Sequence, residues 1–332
     1  MAHKATAFLF GEVIFLLVLV GCSHPTRLPR QEAEQVLKTT DSDLNRLLSA
    51  AAESSWKVAV QSLYRLKGNP FSALTTMSKG EAGLRQVSYS RWAFPTGHYV
   101  WNAQRSTFDY YQSAAASIEV DYPLQESKTN NARCVITAFA PPPVGSNLKV
   151  PAALEAAFWV DEKKVLSVSQ RMSVQEQLPV LLRCTIKGND FESQLSLDNH
   201  LNGKFGKVQI HNALQVLGQD VFTASVVAGI KLNGGGTYSI QEAQWEAQLF
   251  EMSMKGDVQY ARINPSSKHY DQDVNRYSSI LLKESTSGAT IATVLLGRMP
   301  NEDRFDFFLQ FSDGSLRPLS DYFLAVQQLM IH

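Results

Sequence analysis

The chain has 332 residues, with 31 Lys and Arg against 31 Asp and Glu, so its formal net charge is zero. That balance excludes a nucleic-acid binder, which needs a basic surface to displace counterions from phosphates, and it equally excludes an acidic, disordered chain. At 44% hydrophobic and 19% charged residues, with three cysteines and no Cys-x-x-Cys, the composition is that of a globular protein with a substantial core rather than a disulfide scaffold.

The first thirty residues carry an address. Lys4 precedes an apolar stretch over residues 5–20 that is broken by Gly11 and Glu12, which leaves an uninterrupted run of eight residues at 13–20. Eight residues cannot span a bilayer, but they match the apolar segment of a secretory leader. The run ends in Leu19-Val20-Gly21-Cys22, where small residues let a peptidase reach the backbone. These four residues resemble the lipobox of bacterial lipoproteins, all four positions matching. The resemblance implies that residues 1–21 are a signal peptide, that Cys22 is the lipid attachment site, and that the protein is held to a membrane through its N-terminal lipid. Two or three acyl chains make a stable anchor, because each buried CH2 contributes about 0.8 kcal/mol and one chain alone holds only marginally. Ser23 rather than Asp after the cysteine implies, within that family, the outer membrane facing the periplasm. The resemblance covers 22 residues and implies nothing about the folded body. Ser23-His24-Pro25-Thr26-Arg27-Leu28-Pro29-Arg30 reads as a polar tether that lets the body stand off the lipid, and residues 22–40 as that tether and the start of a helix.

Leu44, Leu47, Leu48, Ala51, Val58, Leu63 and Leu66 recur largely at three- and four-residue intervals. That spacing predicts a helix over 41–67, with Asp41 or Ser42 as N-cap and Gly68-Asn69-Pro70 as its stop. Strand patterns follow. Ile118, Val120 and Tyr122 alternate with acidic residues, and Phe191, Leu195 and Leu197 alternate with polar ones. The longest alternation sets Phe222, Ala224, Val226, Ala228, Ile230 and Leu232 on one face, ahead of Asn233-Gly234 and a second extended run over 237–254; this predicts a long antiparallel hairpin. Further strands are expected at 258–263, 278–283, 290–296 and 304–311, and a last helix from Pro318 with Phe323, Val326, Leu329 and Met330 as its stripe. The expected class is α+β, mainly β: an antiparallel sheet forming a sandwich, an open barrel or a grip around a helix, with an N-terminal and a C-terminal helix. Pro141-Pro142-Pro143 divides a helix plus aromatic-rich β region (41–140) from a β-rich domain ending in a helix (141–332); the two also fit a single domain.

With Cys22 taken by lipid, Cys134 and Cys184 remain, each in an Arg-Cys-x-Ile strand run. In an oxidising envelope they are expected to form a disulfide between neighbouring strands that contributes about 2 to 4 kcal/mol; two separate buried thiols are the alternative. Of the histidines in the body, His98, His200, His211 and His269, none has metal-ligand spacing, so no metal site and no cofactor is expected. Ser54-Ser55-Trp56-Lys57 and Ser146-Asn147-Leu148-Lys149 match Ser-x-x-Lys but lack its companion motifs. Gly234 to Gly236 lies between strands, where no phosphate loop can form, and Asp271-Gln272-Asp273-Val274-Asn275 reads as a solvated turn.

One segment is enriched in rings: residues 89–111 hold eight aromatics in 23 positions. Trp92, Tyr99 and Trp101, with Arg91, His98, Asn102 and Arg105 among them, suit either a strand core or a ligand surface where flat rings stack on sugars or a partner's apolar groups. The expected function is a lipid-anchored structural or assembly component of the cell envelope, acting with an envelope protein partner and no nucleic acid. The alternatives are a glycan- or lipid-binding lipoprotein using the aromatic segment, and an envelope hydrolase.

Overall fold

The computed structural model describes residues 27–52, 54–68, 76–79, 85–88, 96–124, 127–140, 151–175, 178–234, 237–298 and 305–322. The leader with Cys22, Trp92, the Pro141-Pro142-Pro143 joint and the last helix's stripe from Phe323 lie outside the described residues. The elements open with helices α1 (Arg30–Ala52) and α2 (Ser55–Arg65), then strands β1 (Thr76–Lys79), β2 (Arg85–Ser88), β3 (Gly97–Asn102), β4 (Thr107–Tyr111) and β5 (Ile118–Tyr122). Next come β6 (Ala132–Ala140), β7 (Ala153–Val160), β8 (Lys163–Gln175), β9 (Leu178–Gly188), β10 (Phe191–Asn202), β11 (Phe205–Val216) and β12 (Gln219–Gly234). The chain continues through β13 (Thr237–Leu249), β14 (Met252–Val258), helix α3 (Tyr270–Tyr277), β15 (Ser278–Glu284), β16 (Thr290–Arg298), β17 (Phe305–Gln310) and β18 (Leu316–Pro318). The fold is α+β and mainly β: a large, open, mostly antiparallel sheet rather than a closed barrel, in which β3 and β5 pair in parallel, while β1 and β2 pair separately.

The chain divides into two compact units, Met1–Ser49 with Leu197–His332, and Ala50–Ser196. In the first, β11 to β18 follow one another as a meander, each bonded to its sequence neighbour. Helix α1 covers one face of it. Ala33, Leu37, Thr40, Leu44 and Leu47, spaced by four and three residues, are the buried stripe of α1. Ala33 and Leu37 join a core with Ala224, Ala228, Ala243, Ala247, Trp245, Ile291, Leu309 and Phe311. Alanines on the central strands leave room for a helix to lie close. Thr40 is tolerated inside because its hydroxyl donates to the Val36 carbonyl one turn back, at 3.0 Å.

In the second unit the order is β4-β3-β5-β6-β7-β8-β9. The shorter α2 supplies Leu63 to a core of Tyr99, Val120, Tyr122, Cys134 and Ile136. The Tyr122 hydroxyl, fully buried, donates to the Ala59 carbonyl of α2 at 3.0 Å, so the sheet and its helix are joined by a polar bond inside an apolar core.

Several expectations are corrected. Helix α1 starts at Arg30, one residue after Pro29, whose carbonyl accepts from the Ala33 amide at 3.0 Å; Asp41 and Ser42 are interior helix positions, not caps. The helix does not run unbroken to residue 67. It stops at Ala52, and α2 restarts at Ser55, which resets the helical phase: Val58 is exposed, and Ala59, Ser62 and Leu63 turn inward instead. The predicted strand at 258–263 is lost after Val258, where the chain leaves the sheet for a single 3-10 turn (Tyr260–Arg262) and α3. Residues 271–275 are therefore helical rather than a turn. Asn275 of α3 takes the place of a strand residue: its amide nitrogen donates to the Leu296 carbonyl at 2.7 Å and its oxygen accepts from the Leu296 N–H at 2.8 Å, where β15 no longer pairs with β16. The long hairpin of β12 and β13 is as read, but β13 ends at Leu249 and a turn at Phe250 starts β14.

The disulfide is also corrected. Cys134 and Cys184 are free thiols. They lie on β6 and β9, with β7 and β8 between them: Cys134 faces Phe158, Phe158 faces Leu166, and Cys184 faces Gln170 on the strand that carries Leu166. Three strand spacings amount to about 14 Å, against the 4.4 to 6.8 Å that a disulfide requires between Cα atoms, so no side-chain rotation closes the gap. Labelling the denatured, unreduced protein with a thiol reagent is expected to modify both residues; protection of the pair would contradict this strand order.

Candidate functional site

The aromatic segment places its residues in different settings. Tyr99 on β3 is core: it is 9% exposed, its ring stands 5.2 Å from that of Tyr110 on β4, and burial raises its phenol above the usual range. The close fit begins at Gly97, where a Cβ would come within 2.4 Å of the Tyr110 ring, so no larger residue fits beside it. Trp101, two residues on and on the same face, sits where the core opens. One side of it packs edge-on against Phe108, with centroids 5.1 Å apart, and against the core. It also lines an open cavity of about 350 Å³ with Asn102, Gln104, Asp109, Lys128 and Asn130, within the range of small-ligand sites, about 300 to 1,000 Å³.

The polar rim of this cavity is built by a tight turn. The Asn102 side-chain oxygen accepts from the Gln104 and Arg105 amides at 3.1 and 3.2 Å, an Asx arrangement that ends β3 and starts the hairpin into β4. The Asn102 amide donates to Asp109 at 2.9 Å, and Arg105 forms an ion pair with the other oxygen of the same carboxylate. Asn130, from the loop before β6, donates to the Trp101 carbonyl at 2.9 Å. The amides at this rim suit a small ligand with hydroxyl edges. They do not suit acid–base chemistry, because the one carboxylate is already held by two donors.

A second cluster lies further along the same face, where His98, Val100 and Asn102 of β3 alternate away from Tyr99 and the Trp101 ring. Asp121 of β5 accepts from His98 Nε2 at 2.7 Å and from Arg133 Nε at 2.7 Å, tying β3, β5 and β6 together. Tyr111 of β4 flanks the His98 ring, and Trp159, cross-strand from Arg133, carries the Lys164 ammonium 5.7 Å from its centroid. Burial works to raise the Asp121 carboxyl, but the hydrogen bonds from Arg133 and His98 outweigh it and leave it below the usual carboxylate range.

Of the expected site residues, the structure therefore brings Asn102 and Arg105 together on Asp109, puts Tyr99 in the core with the Trp101 ring at its edge, and puts His98 on the face that Asn102 shares; Trp92 and Arg91 lie outside the described residues. Asp109, Asn130, Asp121 and Arg133 were missed. The strand alternation of 118–122 places Asp121 outward, but no local signal tells which cations from other strands meet it. Among the described residues no cluster of three His, Cys, Asp or Glu could hold a metal ion, and no helix is long and apolar enough to cross a membrane. No family model, no curated protein and no solved structure matches the chain.

Two outcomes follow. Tyr99→Ala is expected to cost about 3 to 5 kcal/mol in chemical denaturation and Trp101→Ala distinctly less, because only part of the indole is in the core; equal losses would place Trp101 in the core as well. Asp121, with its folded pKa below its unfolded one, contributes stability that is complete at neutral pH and is lost as pH falls from about 3.9 through the lower folded value. Asp121→Asn should then cost about 1 to 3 kcal/mol at pH 7 and converge with the parent in acid; a gap that stays constant between pH 7 and pH 2 would reject the charge-based account.

Proposed function

We propose that the chain is a lipid-anchored component of the bacterial cell envelope with a structural or assembly role, held at the outer membrane on its periplasmic side and acting with an envelope protein partner. The observation that carries this reading is the Leu19-Val20-Gly21-Cys22 sequence after a short apolar run. The folded body is compatible with it: a broad antiparallel sheet of this kind offers extended surface for association rather than a deep cleft. Several of the described groups that could do chemistry are engaged in holding the fold. His98, Asp121 and Arg133 satisfy one another, Asp109 is held by Asn102 and Arg105, and burial pushes the Cys134 and Cys184 thiols up, away from the reactive thiolate.

A second reading, binding of a small glycan, is favoured by one observation: the open cavity with Asn102, Gln104 and Asn130 at its rim. Lipid anchoring and glycan binding are compatible in one molecule, and the anchor is the part tested first.

Cys22→Ser is expected to move the protein from the membrane to the soluble envelope fraction and to remove the acyl mass from its N-terminal peptide. Membrane association that persists in this variant, with the leader cleaved, overturns the anchor. Affinity purification of the parent from detergent extracts should recover a stoichiometric envelope protein, and recovery of the chain alone would count against the assembly role.

A further inference from the structure

The chain is already part of the fold at Arg27. Arg27 forms a parallel bridge with Thr290, and the Leu28 amide donates to the Thr290 carbonyl at 2.9 Å. Leu28 packs against the core of that unit. The next turn is fastened as well: Arg30 pairs with Glu34 at 2.8 Å and Asp313 at 3.5 Å, its guanidinium stands over the Phe311 ring, and the Tyr322 hydroxyl donates to Glu34. The tether expected over 23–30 is thus shortened. Only Ser23, His24, Pro25 and Thr26 separate Cys22 from the bridge at Arg27, a reach of about 17 Å when fully extended.

Direction matters as much as length. Thr290 is the first residue of β16, next to the turn that follows β15. Because Arg27 runs parallel to β16, the residues before it are delivered off that turn end of the sheet. In a meander every second turn falls at the same end, so this rim also holds the β11–β12 turn at Leu217 and Gly218, the β13–β14 turn at Phe250 and the β17–β18 turn at Gly314. Hydrogen bonds join them side by side: Phe250 N–H to the Val221 carbonyl and Ser285 N–H to the Glu251 carbonyl. Leu217 stands at one tip with a positive φ of 52° and 55% exposed, and Leu316, just after the last turn, is 51% exposed. Left-handed backbone is unfavourable for leucine, so this tip holds out an apolar side chain where asparagine or glycine would be easier.

Resting on the lipoprotein reading, we propose that this turn rim of the Leu197–His332 sheet lies on the lipid surface, with Leu217, Phe250 and Leu316 at the headgroup boundary. The occupant is a phospholipid bilayer. Charge does not select it, since Arg27, Arg30 and Arg317 at the rim stand against Asp220, Glu251, Glu284 and Asp313. Exposed apolar area does not select it alone either, since Phe205 at the far end is 60% exposed. The place and shortness of the tether decide between the two ends.

The test uses the full lipidated chain in vesicles of phosphatidylethanolamine and phosphatidylglycerol, with the photoreactive residue p-benzoylphenylalanine replacing Leu217 in one sample and Phe205 in another. Mass analysis of the N-terminal peptide first establishes acylation at Cys22. On irradiation, the lipid adduct at position 217 is expected to exceed that at 205 several-fold, and a flexible Gly/Ser spacer of about ten residues inserted between Thr26 and Arg27 should bring the two together. Equal adduct yields in an acylated chain, or a larger yield at 205, overturn the rim assignment and leave the anchor standing. An N-terminal peptide without acyl groups overturns the anchor itself, and the rim with it.

Discussion

A half-buried strand has one apolar face, and a sheet made of such strands must have that face covered by something other than water. Each unit here meets that constraint with a helix, and the sizes of the side chains on the two sides are matched. Where α1 lies on the sheet, its Ala33 and Leu37 meet strands trimmed to Ala224, Ala228, Ala243 and Ala247. Where the shorter α2 offers mainly Ala59, Ser62 and Leu63, the strands supply the bulk through Tyr99, Tyr122 and Ile136. Close packing asks for constant volume at an interface, not for particular residues.

Covering one face leaves the other to polar chemistry, and there the strands are tied by side chains as well as by the ladder. Asp121 gathers His98 and Arg133 from the strands on either side. Asn275 performs a comparable task at the interruption after β14, giving Leu296 the donor and acceptor that a missing strand residue would have supplied. A buried backbone group left unpaired costs about as much as a lost hydrogen bond, so a side chain with both functions, and asparagine has both, can end a strand early without penalty. The same economy shapes the cavity at Trp101: Asn102 turns the chain with its oxygen and holds Asp109 with its amide.

The N-terminal segment acquires meaning from this arrangement. A lipid anchor fixes a protein to a surface only as tightly as the chain between them allows. Here the chain is locked into the sheet by Arg27 and Leu28 before α1 begins, so the proposed anchor would act through a leash of few residues. Orientation follows from where a strand begins, a property that belongs to the sheet's topology and not to the anchor.

Much of the fold was legible because period and turn chemistry are local. Phe222 to Leu232 alternate, Asn233-Gly234 permits a tight reversal, and the long hairpin of β12 and β13 results. The resemblance of Leu19-Val20-Gly21-Cys22 to a lipobox, too, is read residue by residue. What escaped the sequence depended on distance in space. The apolar stripe through Leu44, Leu47 and Val58 is continuous on paper, yet a break after Ala52 rotates α2 and leaves Val58 outside. Cys134 and Cys184 share a motif and a strand setting, but two intervening strands keep them apart. Tyr99 and Trp101 have the same composition around them, and only the place where the sheet's core ends makes the first a buried ring and the second a half-buried one. The amino-acid order determined, by itself, most of the extended segments and their inward faces, since each rests on neighbours in the chain. Only the tertiary structure decided which strands are adjacent, which polar groups meet and where the tether leaves the fold, because those are set by the register and order of a sheet that no single segment encodes.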